Sequence, residues 1–358
     1  PLSRIMVMTA LGATFIAAYL SWRWVENPVR FRKIFASSKA IFLASALSLM
    51  LLIFIGQAIK QSGGFLSRMP ESALALAKWD GGLYKDPPGT YLLQSEANGT
   101  EFKFKAWDIR PGSPPSFMVM GNSHSRMWLA AIDQLAEEYK VSGLVVDSFA
   151  FKRCLLLKDQ PPETPEQKEC QDRLTAFLDL AQARGVKRVL WGIRYSYYLG
   201  PVMAQTGEAS GPVGEELARD LASTLKAAQD RGLELWFLEN VPEYDQDIRH
   251  TIAVRALKGL EPASMGYDLE FYNNRNATFH QKLPELIAQG LNVLNVTQFI
   301  CPDNLCLPGD LQGSYYIDET HLSSYGALTF RQVPVPLFEG LRVSEYDEND
   351  QYKFEEQQ

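Results

Sequence analysis

Two uncharged stretches near the start constrain this chain more than any other feature. Ala40 to Ile59 runs 20 residues without a charge. A helix rising about 1.5 Å per residue needs roughly 20 residues to cross about 30 Å of hydrocarbon. Ile5 to Trp22 supplies another 18 uncharged residues. A secretory signal has a shorter apolar core and a small-residue cleavage site, and neither follows Ile59. Two membrane spans are therefore expected within residues 1–59. The connector between them holds Arg23, Arg30, Arg32, Lys33 and Lys39 against Glu26 alone. The positive-inside tendency places that connector in the cytoplasm and everything after Lys60 outside it. The chain begins at Pro1, at the edge of a span, so the expectation is the C-terminal piece of a longer multi-span protein.

Charge is divided along the same line. Residues 1–39 carry six Lys/Arg against one Glu, and the rest of the chain carries a net −12. An acidic body repels phosphates, which argues against a nucleic-acid partner. A basic head suits a bilayer. The four cysteines, Cys154, Cys170, Cys301 and Cys306, all lie beyond the second stretch. An even count there suits disulfides in an oxidising compartment. Cys301 and Cys306 as half a zinc site would need two more ligands, and the nearest His, His321, has another use, so no metal is expected. The preferred pairing is Cys154–Cys170 with Cys301–Cys306, although spacing alone permits all three pairings.

Past the spans, residues 60–112 mix Gly, Pro and polar residues with scattered aromatics, the pattern of a linker with some local structure, packed on the domain beyond it. Residues 113–340 alternate short apolar runs (117–120, 143–149, 188–193, 233–238 and 293–296) with amphipathic stretches (126–139, 165–184, 214–231, 246–258 and 269–289). Strand–helix alternation predicts an α/β domain, a parallel sheet with helices on both faces. Residues 341–358 form an acidic tail.

Two places carry chemistry. Phe117-Met118-Val119-Met120 runs into Gly121-Asn122-Ser123-His124-Ser125. A Ser at a strand-to-helix turn stands at the carboxyl edge of the sheet, where sites in open α/β folds form, and the helix N-terminus there offers free N–H groups to an oxyanion. The bland alternative is a Ser that only caps the helix. Tyr316-Ile317-Asp318-Glu319-Thr320-His321 adds an acid three residues before a His. A Ser nucleophile needs a base, and the base needs an acceptor to fix its tautomer. His321 and Asp318 offer both from one loop. His124, next to Ser123, is assigned a supporting or packing role.

Together, Gly121-Asn122-Ser123-His124-Ser125 and Asp318-Glu319-Thr320-His321 resemble the SGNH (GDSL-like) hydrolase domain, in the form fused behind acyltransferase family 3 membrane domains, as in bacterial O-antigen acetylases. Trp22-Arg23-Trp24-Val25-Glu26-Asn27-Pro28-Val29-Arg30-Phe31-Arg32-Lys33 is similar to the segment ending the tenth helix of that membrane domain, with Ala40 to Ile59 as an eleventh. The resemblance implies a three-layer, flavodoxin-like fold behind two transmembrane helices in the bacterial inner membrane, with the SGNH-like domain in the periplasm. It implies an O-acetyltransferase acting on a sugar hydroxyl of a periplasmic glycan such as lipopolysaccharide O-antigen. Ser123 is then the nucleophile, His321 the base and Asp318 its partner. No cofactor is expected on this part, acetyl-CoA being the donor to the upstream acyltransferase membrane domain.

Two departures from the pattern stand out. The family usually has Asp where this chain has Asn122, which keeps the size and one acceptor oxygen. The oxyanion Gly and Asn are not recognisable: Ser148-Phe149-Ala150-Phe151 takes the place of the first and Trp191-Gly192-Ile193-Arg194-Tyr195 that of the second. Oxyanion and substrate contacts are therefore sought at Gly121, Asn122, Ala150, Phe151 and Arg194, the N–H of Ser123 included; a salt bridge is the plainer role for Arg194. The rival readings are a membrane-anchored carbohydrate or lipid acetyl esterase and a non-catalytic glycan-binding module.

Overall fold

The computed structural model describes residues 4–31, 37–62, 71, 90–146, 156–195, 211–245, 247–257 and 260–341. The chain divides into two compact units, Pro1–Met69 and Pro70–Gln358.

In the first unit both uncharged stretches are helical. Helix Arg4–Ser21 passes through a π-helical turn, Trp22–Glu26, into the short helix Asn27–Arg30. Helix Ser38–Gln61 comes next, its first turn capped by Ser37 Oγ, which accepts the Ala40 N–H at 3.2 Å. Phe42, Leu52 and Phe54 stand exposed on it, a surface that water disfavours and hydrocarbon accepts. Among the described residues Ser38–Gln61 is the one helix long and apolar enough to cross a membrane. The expected pair of spans thus reduces to one clear candidate.

The second unit has nine strands among its described residues: β1 (Tyr91–Ala97), β2 (Thr100–Ile109), β3 (Phe117–Gly121), β4 (Gly143–Val146), β5 (Arg188–Gly192), β6 (Glu234–Leu238), β7 (Tyr267–Asp268), β8 (Asn292–Leu294) and β9 (Leu305–Cys306). The main sheet runs β1-β2-β4-β3-β5-β6-β8, and β7 pairs separately with β9. From β4 to β8 every pairing is parallel; β1 and β2 add an antiparallel edge. The parallel core therefore has the flavodoxin-like order, with its switch point at β3 and β5.

Strand alternation sorts the core into two layers. Met118, Met120, Val189 and Trp191 face one way, toward helices Pro165–Ala183 and Gly211–Gln229 through Leu174, Phe177, Leu217 and Leu221. Phe117, Val119 and Leu190 face the other way, toward helix Leu129–Tyr139 through Leu129, Ile132 and Leu135. Each large apolar side chain so buried contributes about 1.5–3 kcal/mol. The helices on both sides make the three layers expected.

Three boundaries differ from the sequence expectation. The expected linker 60–112 contains β1 and β2, which are built into the sheet: Phe102, Phe104 and Ala106 point into the core while Lys103 lies outside it, and β2 pairs with β4. The stretch 269–289 splits into Leu269–His280 and Leu283–Ala288. Pro284 sits in the first turn of the second piece, where its missing N–H costs nothing, but it cannot continue a preceding helix. The fourth helix is shorter than expected, Ile248–Ala256. The last part of the strand expected at 143–149, and the tail from residue 342, lie outside the described residues.

Candidate active site

The turn after β3 is held by close backbone contact. Gly121 has φ +137°, and a Cβ there would stand 1.7 Å from the Gly192 carbonyl oxygen on β5. The next N–H, of Asn122, donates to that same oxygen at 3.0 Å. Asn122 then caps the one-turn helix Ser123–Arg126, its Oδ1 accepting the His124 N–H at 2.9 Å. An amide oxygen thus does here what a carboxylate would do. Gly192 closes the packing, since a Cβ on it would lie 2.8 Å from Ser125 Cα. Ser123 is left at the carboxyl edge of the sheet, half-buried.

The second loop meets it from the far end of the chain. Tyr316 and Leu322 form an antiparallel bridge, and the Ile317 N–H donates to the His321 carbonyl at 2.9 Å, so residues 317–321 make a tight loop. Asp318 Oδ1 accepts the N–H groups of Thr320 and His321 at 2.8 and 2.7 Å. Asp318 Oδ2 lies 2.8 Å from His321 Nδ1, and His321 Nε2 lies 2.7 Å from Ser123 Oγ. Burial alone would raise the Asp318 pKa, but the hydrogen bonds from His321 and the Thr320 N–H win and hold it at about 2. An ionised Asp318 favours the proton on Nδ1, which leaves Nε2 as acceptor for the Ser123 hydroxyl. Buried Thr320 contributes a contact not anticipated from sequence, Oγ1 to His321 Nδ1 at 3.1 Å. Its position between Asp318 and His321 is the only signal that pointed to it.

The other expected site residues fall in several places. Arg194 Nε is 2.9 Å from Glu243 Oε1, an ion pair whose side chains are 18% and 4% exposed. Arg275 Nη2 lies 3.2 Å from the other Glu243 oxygen, so Arg194 takes up the salt bridge that was its plainer role. Ala150 and Phe151 lie outside the described residues. Cys301 and Cys306 form a disulfide. Cys170 is also disulfide-bonded, and Cys154, its expected partner, lies outside the described residues. Among the described residues no group of three or more His, Cys, Asp or Glu is arranged to hold a metal ion.

Residues 94–334 match the family described as SGNH domain (fused to AT3 domains). The chain belongs to this family. No curated protein matches it. Among solved structures, this SGNH chain is similar to the periplasmic domain of a lipopolysaccharide acetyltransferase from Salmonella serovar Paratyphi A, at 12% identity over 64% of this chain and 85% of that one, TM-score 0.46. It is also similar to a GDSL-like lipase from Bacteroides thetaiotaomicron, at 14% identity over 64% and 93%, TM-score 0.33. A thermostable esterase from Pseudomonas putida aligns at 13% identity over 80% and 95%, TM-score 0.33.

Proposed function

We propose that this SGNH domain is an O-acetyltransferase that moves acetyl groups onto a sugar hydroxyl of a periplasmic glycan, lipopolysaccharide O-antigen, through an acetyl-Ser123 intermediate. One observation carries the reading. Ser123 Oγ, His321 and Asp318 form a continuous hydrogen-bonded line, 2.7 and then 2.8 Å, at the edge of the sheet where α/β sites form.

That line sets the chemistry. Ser123 Oγ attacks the acetyl carbonyl carbon while its proton passes to His321 Nε2. Asp318 stabilises the imidazolium that results. The tetrahedral oxyanion collapses, the donor's oxygen or sulfur leaves with the proton from His321, and acetyl remains on Ser123. The acceptor hydroxyl then gives its proton to His321, attacks the acetyl carbon and leaves as the sugar ester, returning the proton to Ser123. The Ser123 N–H, at the start of a helical turn, is our choice of oxyanion donor, with a second from 149–152. Water in place of the sugar makes the same site an esterase.

The membrane setting belongs to the same proposal. Helix Ser38–Gln61 is the tether, the basic connector before it is cytoplasmic and the domain is periplasmic. An upstream acyltransferase membrane domain supplies acetyl from acetyl-CoA. The test is release and transfer of acetyl from a small acetyl ester, with and without O-antigen polysaccharide, and mass spectrometry of the glycan afterwards. Wild type is expected to acetylate the glycan, and Ser123→Ala to give neither ester cleavage nor transfer. A folded Ser123→Ala protein with near-normal turnover overturns the assignment. Hydrolysis that no glycan acceptor diverts returns the site to an esterase.

A further inference from the structure

His124 is the residue next to the proposed nucleophile, yet it takes no part in the hydrogen-bonded line. Its side chain is 2% exposed, and neither Nδ1 nor Nε2 has a hydrogen-bond partner. Buried polar atoms in folded proteins are nearly always paired, because leaving one dry is destabilising. An imidazole kept in that condition beside Ser123 calls for a reason. Its ring supplies one. The centroid lies 4.9 Å from that of His321, with the planes inclined at 56°.

Side-chain contacts already hold the His321 ring, Asp318 Oδ2 and Thr320 Oγ1 at Nδ1 and Ser123 Oγ at Nε2. Turning of the ring about its Cβ–Cγ bond would carry both nitrogens away from these partners. The His124 ring, packed with its centroid 4.9 Å away, resists that turning. We propose that His124 is a positioning residue, the wall that keeps the His321 imidazole in the plane where Nε2 meets Ser123 Oγ and Nδ1 meets Asp318. This rests on the catalytic reading above. The fixed backbone supports it: the His124 N–H is held by Asn122 Oδ1, and Asn122 N–H by Gly192, so the wall is anchored to β5.

The wall must also stay uncharged. The charged groups that act on His124 are His321 and Asp318 from the facing loop and Arg194 from the end of β5. Burial, then His321 and Arg194, disfavour its protonation, and only Asp318 opposes them. His321 becomes a cation during each proton transfer. A second cation 4.9 Å away would slow that step by roughly two orders of magnitude at an effective dielectric constant near 20. A buried neutral ring gives the contact without the charge.

The experiment compares wild type, His124→Ala and His124→Phe as full-length protein in detergent. The readouts are kcat and KM for 4-nitrophenyl acetate, labelling of Ser123 by a serine-directed phosphonate, the low-field proton signal of His321 Nδ1–H, and Tm. His124→Ala is expected to lower kcat about 10- to 100-fold with KM within about twofold, as misplacement of a reacting group does, and to broaden the low-field signal. His124→Phe, which restores a ring, is expected to recover most of kcat and sharpen that signal. A His124→Ala protein with lower Tm but unchanged kcat and an intact signal overturns the proposal, leaving only packing. A His124→Phe protein as slow as the Ala variant also overturns it. Wild type unlabelled at Ser123 would instead bring down the catalytic reading on which the proposal stands.

Discussion

The α-carbon of Gly121 sits so close to the Gly192 carbonyl that the oxygen occupies the place a Cβ would take, 1.7 Å away. The same oxygen accepts the Asn122 N–H, so the contact sets the path of the chain into Ser123. Gly121→Ala must displace backbone and force a side chain onto φ +137°. We expect a loss of about 3 kcal/mol or more and loss of ester turnover even in the folded fraction. Urea unfolding alongside activity per folded molecule checks both; a stable, active Gly121→Ala protein would show that the approach is looser than described.

The relay predicts strong non-additivity. Ser123→Ala and His321→Ala are each expected to remove nearly all turnover, and the double variant to be scarcely slower than either, because the residues act as one unit. Asp318→Asn should leave more activity than either, since Asp318 orients the ring and stabilises its charge without making a bond to the acyl group. Steady-state kinetics on the three single variants and the double variant decide it. Multiplicative losses in the double variant would mean that Ser123 and His321 act separately.

Acid should weaken the domain in two stages. His124 has its pKa lowered well below the ordinary imidazole value, by burial first and then by His321 and Arg194. The unfolded chain takes up a proton near 6.5 that the folded chain refuses. Stability contributed by this residue is therefore lost as pH falls below about 6.5, by up to about 1.4 kcal/mol per pH unit. Asp318 is depressed to about 2; its contribution is whole above the unfolded carboxyl value of about 3.9 and disappears as pH falls toward 2. His124→Phe should flatten the upper stage and leave the lower one. Denaturant unfolding of both proteins at pH 7.5, 6, 5 and 3 measures this, and parallel curves between pH 7.5 and 5 would refute it.

The hairpin β1–β2 offers a test away from the site. Asn98 and Gly99 both have positive φ, 52° and 78°, the type I′ geometry that joins two strands in two residues. Gly99→Val forces a β-branched residue into the left-handed region, at a cost of about 1–2 kcal/mol. Because β2 and β4 stand between this edge and β3, Tm should fall while kcat per folded molecule stays unchanged. A change in kcat would show that the edge is coupled to the site.

That hairpin also shows where the sequence was readable and where it was not. The five parallel strands announced themselves as short apolar runs between amphipathic helices, because burial on both faces leaves a strand few polar positions. In β2 Phe102-Lys103-Phe104-Lys105-Ala106 alternates with period two, and Asn98-Gly99 marks the turn. Both signals lie among Gly- and Pro-rich segments whose composition argued for a linker. At the site, the local motifs around Ser123 and Asp318 were legible because each makes its own turn: a cap at Asn122 and an N–H-binding carboxylate at Asp318. What no local pattern carries is contact between them. Ser123 and His321 lie 198 positions apart, the His124–His321 ring contact depends on the sheet bringing two loops together, and the Glu243 carboxylate that engages Arg194 comes from another loop altogether.

The disulfide Cys301–Cys306 gives the last prediction. Cys306 belongs to β9, which pairs with Tyr267–Asp268, and its carbonyl accepts the Tyr244 hydroxyl at 3.2 Å. The Tyr244 N–H in turn donates to the Glu319 carbonyl at 2.8 Å, inside the Asp318–His321 loop. The crosslink therefore braces one end of a chain of contacts that reaches the relay. Closing so short a loop is worth about 2 kcal/mol in the entropic description, or roughly 5 °C in Tm for a domain of this size. Native protein should show no titratable thiol. Cys301→Ser with Cys306→Ser should melt about 5 °C lower yet keep its turnover at 25 °C, because the Tyr244–Glu319 hydrogen bond does not run through sulfur. Thiol titration before and after denaturing reduction, with melting and kinetics on the double variant, tests this; free thiols in the native protein or an unchanged Tm would contradict it.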